Sequence, residues 1–125
     1  MSYVPIVGRV IVERVAGEDI GAHRIVKLGA DGNLYHASCT SLDDIDKIVG
    51  VSLNAAGTGK AVRVLMFGVC KDPSFNFDVN KPLFLGTNGQ MVQDVPEEAL
   101  FIQRVGSVTG THEILVELSE PVVIL

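Results

Sequence analysis

Apolar residues along this chain come in short runs broken by Gly, Asp and Asn. Runs of that length, many alternating with polar residues, predict strands rather than helices. Residues 4–15 form a long extended stretch, with Val10 and Val12 on one face and Arg9, Ile11 and Glu13 on the other. The alternation slips where Glu13 and Arg14 adjoin, which predicts a β-bulge there. Pro5 cannot donate to a ladder, so its end of the stretch belongs at a sheet edge. Residues 16–19 read as a turn. Residues 24–28 and 33–37 flank Gly29-Ala30-Asp31-Gly32, and Asp31-Gly32 suits the positive φ values of a type I′ turn, so a hairpin is expected. Residues 83–85 and 90–92 flank Gly86-Thr87-Asn88-Gly89 and give the same signal.

One helix is expected, near residues 41–47. Ser41-Leu42-Asp43-Asp44 has the form of a helix start, with a hydroxyl to cap a free N–H and carboxylates at the positive end of the dipole. Strands follow at residues 48–53 and 61–69. In the second of these Val62, Val64 and Met66 face one way and Arg63, Leu65 and Phe67 the other, which predicts a central strand buried on both sides. Val62, Val64, Met66, Ile114, Val116 and Leu118 are the expected core positions. Residues 101–108 and 113–118 form two more strands, and Pro121 separates them from a terminal strand at 121–125.

Two passages resemble each other. Leu28-Gly29-Ala30-Asp31-Gly32-Asn33-Leu34 parallels Leu85-Gly86-Thr87-Asn88-Gly89-Gln90-Met91 at an offset of 57 residues, and Val49-Gly50-Val51 parallels Val105-Gly106-Ser107. The expected plan is an internal duplication, with pseudo-repeats over 16–70 and 71–120 inside a single β domain of residues 1–125. Similar hairpins using similar turn residues are the plainer explanation. The fold class is all-β: an antiparallel β-barrel or sandwich of about eight to ten short strands, with residues 1–15 as an N-terminal arm.

Composition sharpens this. Val and Ile total 28, and five Thr raise the β-branched count to 33 of 125 residues; such side chains fit a pleated surface. At 47% apolar and 20% charged the chain is ordinary globular material. No apolar run is long enough to span a bilayer, and the first residues are not a signal peptide. Fifteen acidic residues against ten basic argue against a nucleic-acid surface. The charge is uneven: residues 1–63 hold seven basic and seven acidic residues, residues 64–125 three and eight. A molecule with two such ends orients itself on docking.

Candidate chemistry is sparse. Ala56-Gly57-Thr58-Gly59-Lys60-Ala61 resembles a phosphate loop, but Asn54 stands where that motif needs its first Gly, Ala61 replaces the Mg²⁺-binding hydroxyl, and a strand rather than a helix follows. A glycine-rich β-turn is expected instead. Asp43, Asp44 and Asp46 could chelate a hard cation, but the Gly and distal Glu of a calcium loop are missing, so a solvated helix start is expected. His23, His36 and His112 have no ligand spacing. Cys39 and Cys70 are 31 residues apart and read as core fillers rather than a disulfide scaffold. No catalytic, cofactor-binding or metal-binding residue is nominated, and no cofactor is expected.

Both terminal segments are apolar: Tyr3, Val4, Pro5, Ile6 and Val7 at one end, and Val122, Val123, Ile124 and Leu125 at the other. Exposed apolar edge strands aggregate, so these residues are expected to pack against the core or against another copy. They are the nominated oligomer or capsid interface.

The short glycine-based motifs also resemble a known family. Ala16-Gly17-Glu18-Asp19-Ile20, Leu28-Gly29, Ile48-Val49-Gly50-Val51, Val62-Arg63-Val64, Phe67-Gly68-Val69, Pro82-Leu83-Phe84-Leu85-Gly86 and Val105-Gly106 are similar to tailed-phage head decoration (capsid cement) proteins. The resemblance covers residues 16–120, leaving the first fifteen unmatched. It implies a non-enzymatic β-protein on the virion, made in the host cytoplasm, commonly a homotrimer. Its partners would be its own copies and the major capsid protein on the capsid exterior, with no nucleic acid and no membrane. Alternatives are a phage tail or fibre β-module and a small oligomeric β-barrel enzyme or binding protein.

Overall fold

The structure is a computed structural model and describes residues 8–124. Residues 4–7 of the expected long strand therefore lie outside the described residues. The strands are β1 (Val10–Val15), β2 (Ile25–Leu28), β3 (Leu34–His36), β4 (Ile48–Ser52), β5 (Ala61–Lys71), β6 (Pro82–Leu85), β7 (Met91–Val92), β8 (Phe101–Ile102), β9 (Arg104–Gly110), β10 (Glu113–Glu117) and β11 (Val122–Val123). One antiparallel sheet runs β3-β2-β4-β5-β10-β9-β6-β7, with β1 added on β5, and β8 and β11 form a separate two-stranded ribbon. The sheet curls into a half-barrel, as expected of an all-β antiparallel fold.

The long strand β5 organises everything else. Leu65 pairs with both Ile11 and Val51, and Phe67 with both Val10 and Glu117. β1 thus occupies one edge of β5, while β4 and β10 follow one another along the other edge. An isolated bridge between Ala16 and Leu34 ties the end of β1 to β3 and fixes the curl. The expected two-sided burial of β5 holds for Val62, Val64 and Leu65 but fails at Met66, which is 37% exposed. The β1–β5 register steps from Val10↔Phe67 to Ile11↔Leu65, leaving Met66 without a partner. That irregularity reverses the inward and outward phase of the strand. Val62 and Val64 enter a small core with Ala16, Ile20, Val26 and Leu34. Leu65 and Cys70 enter a larger one with Val51, Leu83, Leu85, Phe101, Ile114 and Val116, against which Leu118 packs half-buried. The bulge anticipated at Glu13-Arg14 thus falls at Val10/Ile11 instead, where the registry break moves Met66 out.

The two halves repeat one pairing plan. β3-β2-β4-β5 and β7-β6-β9-β10 have the same order and meet at β5–β10. Val26↔Gly50 is followed by a register shift to Lys27↔Ile48, and Leu83↔Gly106 by a shift to Phe84↔Arg104. Val51↔Leu65 and Ser52↔Val64 match Ser107↔Leu115 and Val108↔Ile114. The reason for glycine at the matched positions is close approach: a Cβ on Gly50 would stand 2.2 Å from Leu65 O, and one on Gly106 2.1 Å from Leu115 O.

The hairpins differ in their turns. In the second, Asn88 (φ 50) and Gly89 (φ 72) are both left-handed, with Gln90 N–H donating to Thr87 O, the type I′ geometry. In the first, only Gly32 (φ 83) is left-handed, and a longer loop carries Gly32 N–H back to Gly29 O. The expected type I′ turn at Asp31-Gly32 is thus absent. Asp31 instead accepts hydrogen bonds from Asn33 N–H and Tyr35 O–H and stays out of the left-handed region.

The expected helix at 41–47 contracts to one 3-10 turn, Leu42–Asp44. Ser41 makes no side-chain cap, and Ile45 is already extended. The cause is Asp44, whose carboxylate turns inward to Ser38 N–H and to the Lys27 ammonium. That tertiary partnership wins over the local helical preference.

Candidate functional site

The nominated C-terminal residues form a distinct structure. The main ladder ends at Glu117, and Pro121, with no N–H to donate, precedes the last strand. Val122 and Val123 then pair with Ile102 and Phe101. Ile124 N–H donates to Leu100 O at 3.0 Å. The ribbon is anchored by the buried Phe101 and by Gln103, whose side-chain amide donates to Ser119 O at 3.0 Å. Above that anchor the surface is apolar and open: Val122 is 63% exposed, Val123 46%, Ile124 45% and Leu100 43%. The N-terminal nominees Tyr3, Val4, Pro5, Ile6 and Val7, and Leu125, lie outside the described residues.

A cleft of about 810 Å³ lies beside the first hairpin, lined by Glu18, Lys27, Tyr35, His36 and Asp44 among others. These five residues each have a partner within the fold. Lys27 Nζ meets Asp44 Oδ1 at 2.5 Å, and Asp44 is buried. Glu18 Oε2 accepts the His36 backbone N–H at 2.7 Å and lies 3.4 Å from the ring Nδ1. Gly21 N–H donates to His36 Nε2 at 3.3 Å. Tyr35 O–H donates to Asp31 at 2.6 Å. That bond holds the Asp31 carboxyl below its ordinary range and pushes the tyrosine hydroxyl above its own. The basic nitrogen of His36 is thus occupied by a backbone donor. These pairs fasten the first hairpin to residues 18–21 and 38–44.

His23, Asp72 and the two cysteines have structural surroundings of their own. His23, in the left-handed region at φ 58, stacks edge-on against Phe75 and stands 3.8 Å from Asp72. Two hydrogen bonds from Ser74 are the main cause holding Asp72 below the ordinary carboxylate range. Burial pushes the thiols of Cys39 and Cys70 up, so both stay protonated and unreactive. The glycine-rich segment at 56–61 is the turn expected: Gly59 has φ 85, Asp19 accepts from Thr58 N–H, and β5 follows directly. Among the described residues no three His, Cys, Asp or Glu side chains stand where they could hold a metal ion, and no helix is long and apolar enough to cross a membrane.

No protein-family model and no curated protein matches this chain.

One surface escaped sequence reasoning. A groove of about 410 Å³ is lined by Val12, Arg14, Leu28, Asp46, Lys47, Ile48, Val49 and Met66. Val12 and Val49 also pack on the smaller core. Four strands contribute to it, and Met66 reaches it through the break in β5 register. No local pattern could announce a surface assembled that way.

Proposed function

We propose that this chain is a non-enzymatic structural protein of a tailed-phage virion, a decoration or cement protein that binds the outer surface of the capsid and stabilises it. It acts as a homo-oligomer, most naturally a trimer, with the major capsid protein as its partner. The observation that carries the proposal is the terminal ribbon, where four large apolar side chains stand open to solvent on an ordered strand pair. Patches of that kind mark interaction surfaces. The glycine-based motifs similar to decoration proteins supply the identity of the surface bound. The trimer follows from that resemblance alone. Several weak contacts made from one rigid oligomer add as avidity.

The test is direct. Purified protein is mixed with empty phage heads, and bound copies are counted after sedimentation. Saturable binding at a fixed copy number, with heads that resist heat or chelation better than bare ones, is the expected result. Heads that neither bind the protein nor gain stability overturn the proposal.

A further inference from the structure

We infer that the groove lined by Val12, Leu28, Val49 and Met66 receives the terminal ribbon of a second copy of this chain, in a head-to-tail contact. This deepens the oligomer in the function proposed above by naming the two surfaces that meet.

The two surfaces are complementary in chemistry. The groove is lined mainly by apolar side chains, with Arg14, Lys47 and Asp46 among them. The ribbon is apolar and exposed at Val122, Val123 and Ile124, and Glu97, Glu98 and Glu120 lie close to it in sequence and are exposed. From residue 94 onward the sequence carries six acidic residues and one arginine, so the whole net charge of −5 resides in that end. The preceding residues balance nine against nine. Arg14 and Lys47 in the groove and the acidic residues around the ribbon attract each other and orient the encounter.

The charges are also free to pair between copies. Among the described residues, none of Arg14, Lys47, Glu97, Glu98 and Glu120 makes an ion pair within the chain. The Arg14 guanidinium donates only to the neighbouring Glu13 carbonyl. Groove and ribbon belong to different halves of the molecule and are different patches. Contact between them is therefore heterologous, and it closes into a ring or grows into a filament according to its rotation.

The test uses the full chain without capsids. Light scattering or sedimentation at micromolar concentration should find the parent associated. Reversing the groove (Arg14→Glu with Lys47→Glu) should give a monomer, and so should reversing the ribbon (Glu97→Lys, Glu98→Lys and Glu120→Lys). A chain carrying both sets restores complementarity and should associate again. Far-UV circular dichroism checks that each variant folds. As an independent readout, Met66→Cys and Val123→Cys chains are mixed and oxidised. They should form a disulfide-linked dimer of one with the other, because the native thiols of Cys39 and Cys70 are buried. A monomeric parent, association unchanged by either reversal, or no mixed dimer overturns the inference. A monomer that still saturates phage heads overturns this contact but leaves the decoration function standing. A head-to-tail oligomer that ignores heads does the reverse.

Discussion

Gly50→Ala should be among the most damaging small substitutions in this protein. The added methyl carbon would stand 2.2 Å from Leu65 O, whereas ordinary contact begins at 3.4 Å, so the overlap is 1.2 Å. The atom in the way is backbone and cannot swing aside. Relief requires β4 to move off β5, where Val51↔Leu65 and Ser52↔Val64 pair and Leu53 N–H donates to Arg63 O. Losing two ladder hydrogen bonds costs about 2 kcal/mol. Disturbing the packed Val51 and Leu65 adds about 1–3 kcal/mol, as overpacking does elsewhere. The expected destabilisation is therefore about 3–5 kcal/mol, a large share of the ~5–15 kcal/mol that holds such a domain together. At about 3–5 °C per kcal/mol for a chain of this size, Tm should fall by roughly 9–25 °C. Urea unfolding followed by far-UV circular dichroism gives the same quantity from the midpoint at constant slope. Gly106→Ala, facing Leu115 O at 2.1 Å, should behave alike. Gly8→Ala, with nothing within 4 Å, is the control and should stay within about 0.5 kcal/mol of the parent. A Gly50→Ala protein within about 1 kcal/mol of that control refutes the close-approach reasoning.

Val64 is fully buried while Met66 is half-exposed, so Val64→Ala should cost about 1–3 kcal/mol and Met66→Ala less than about 1 kcal/mol; equal losses in urea would put the register break elsewhere. Asp31 and Asp72 are held below the ordinary carboxyl value of 3.8. Their contribution to stability is therefore present above pH 3.8 and is lost as pH falls through the lower folded values. Asp72→Asn should flatten the acid limb of the stability profile, and an unchanged acid limb would contradict the Ser74 hydrogen bonds as its cause. Burial of Cys39 and Cys70 raises both thiols, so a thiol reagent at pH 8 should label the native protein slowly and the urea-unfolded protein at once. Rapid native labelling of either would show its strand opening locally.

The local plan of this protein was written in the order of its residues. Short β-branched runs punctuated by glycine specify strands because stiff, branched side chains suit the pleat and glycine ends it. Both hairpins, the strand pair around Gly110, the turn at 56–61 and the parallel between Gly50 and Gly106 were legible, since each rests on residues near one another in the chain. What lay beyond was decided by tertiary contacts. The helix at 41–47 was lost because Asp44 found Ser38 and Lys27 across the fold. Met66 left the core because β1 and β5 slip past each other at Val10/Ile11, and a one-residue slip moves a side chain to the other face. Of the two expected type I′ turns only the second formed, because Asp31 was claimed by Asn33 and Tyr35. The terminal ribbon was half legible: its apolar character stood in the sequence, but its pairing with β8 and its exposure did not. The groove was illegible, because four separate strands supply its walls. A pattern of period two says which face a residue takes, not which distant strand will lie beside it, and surfaces are made by neighbours.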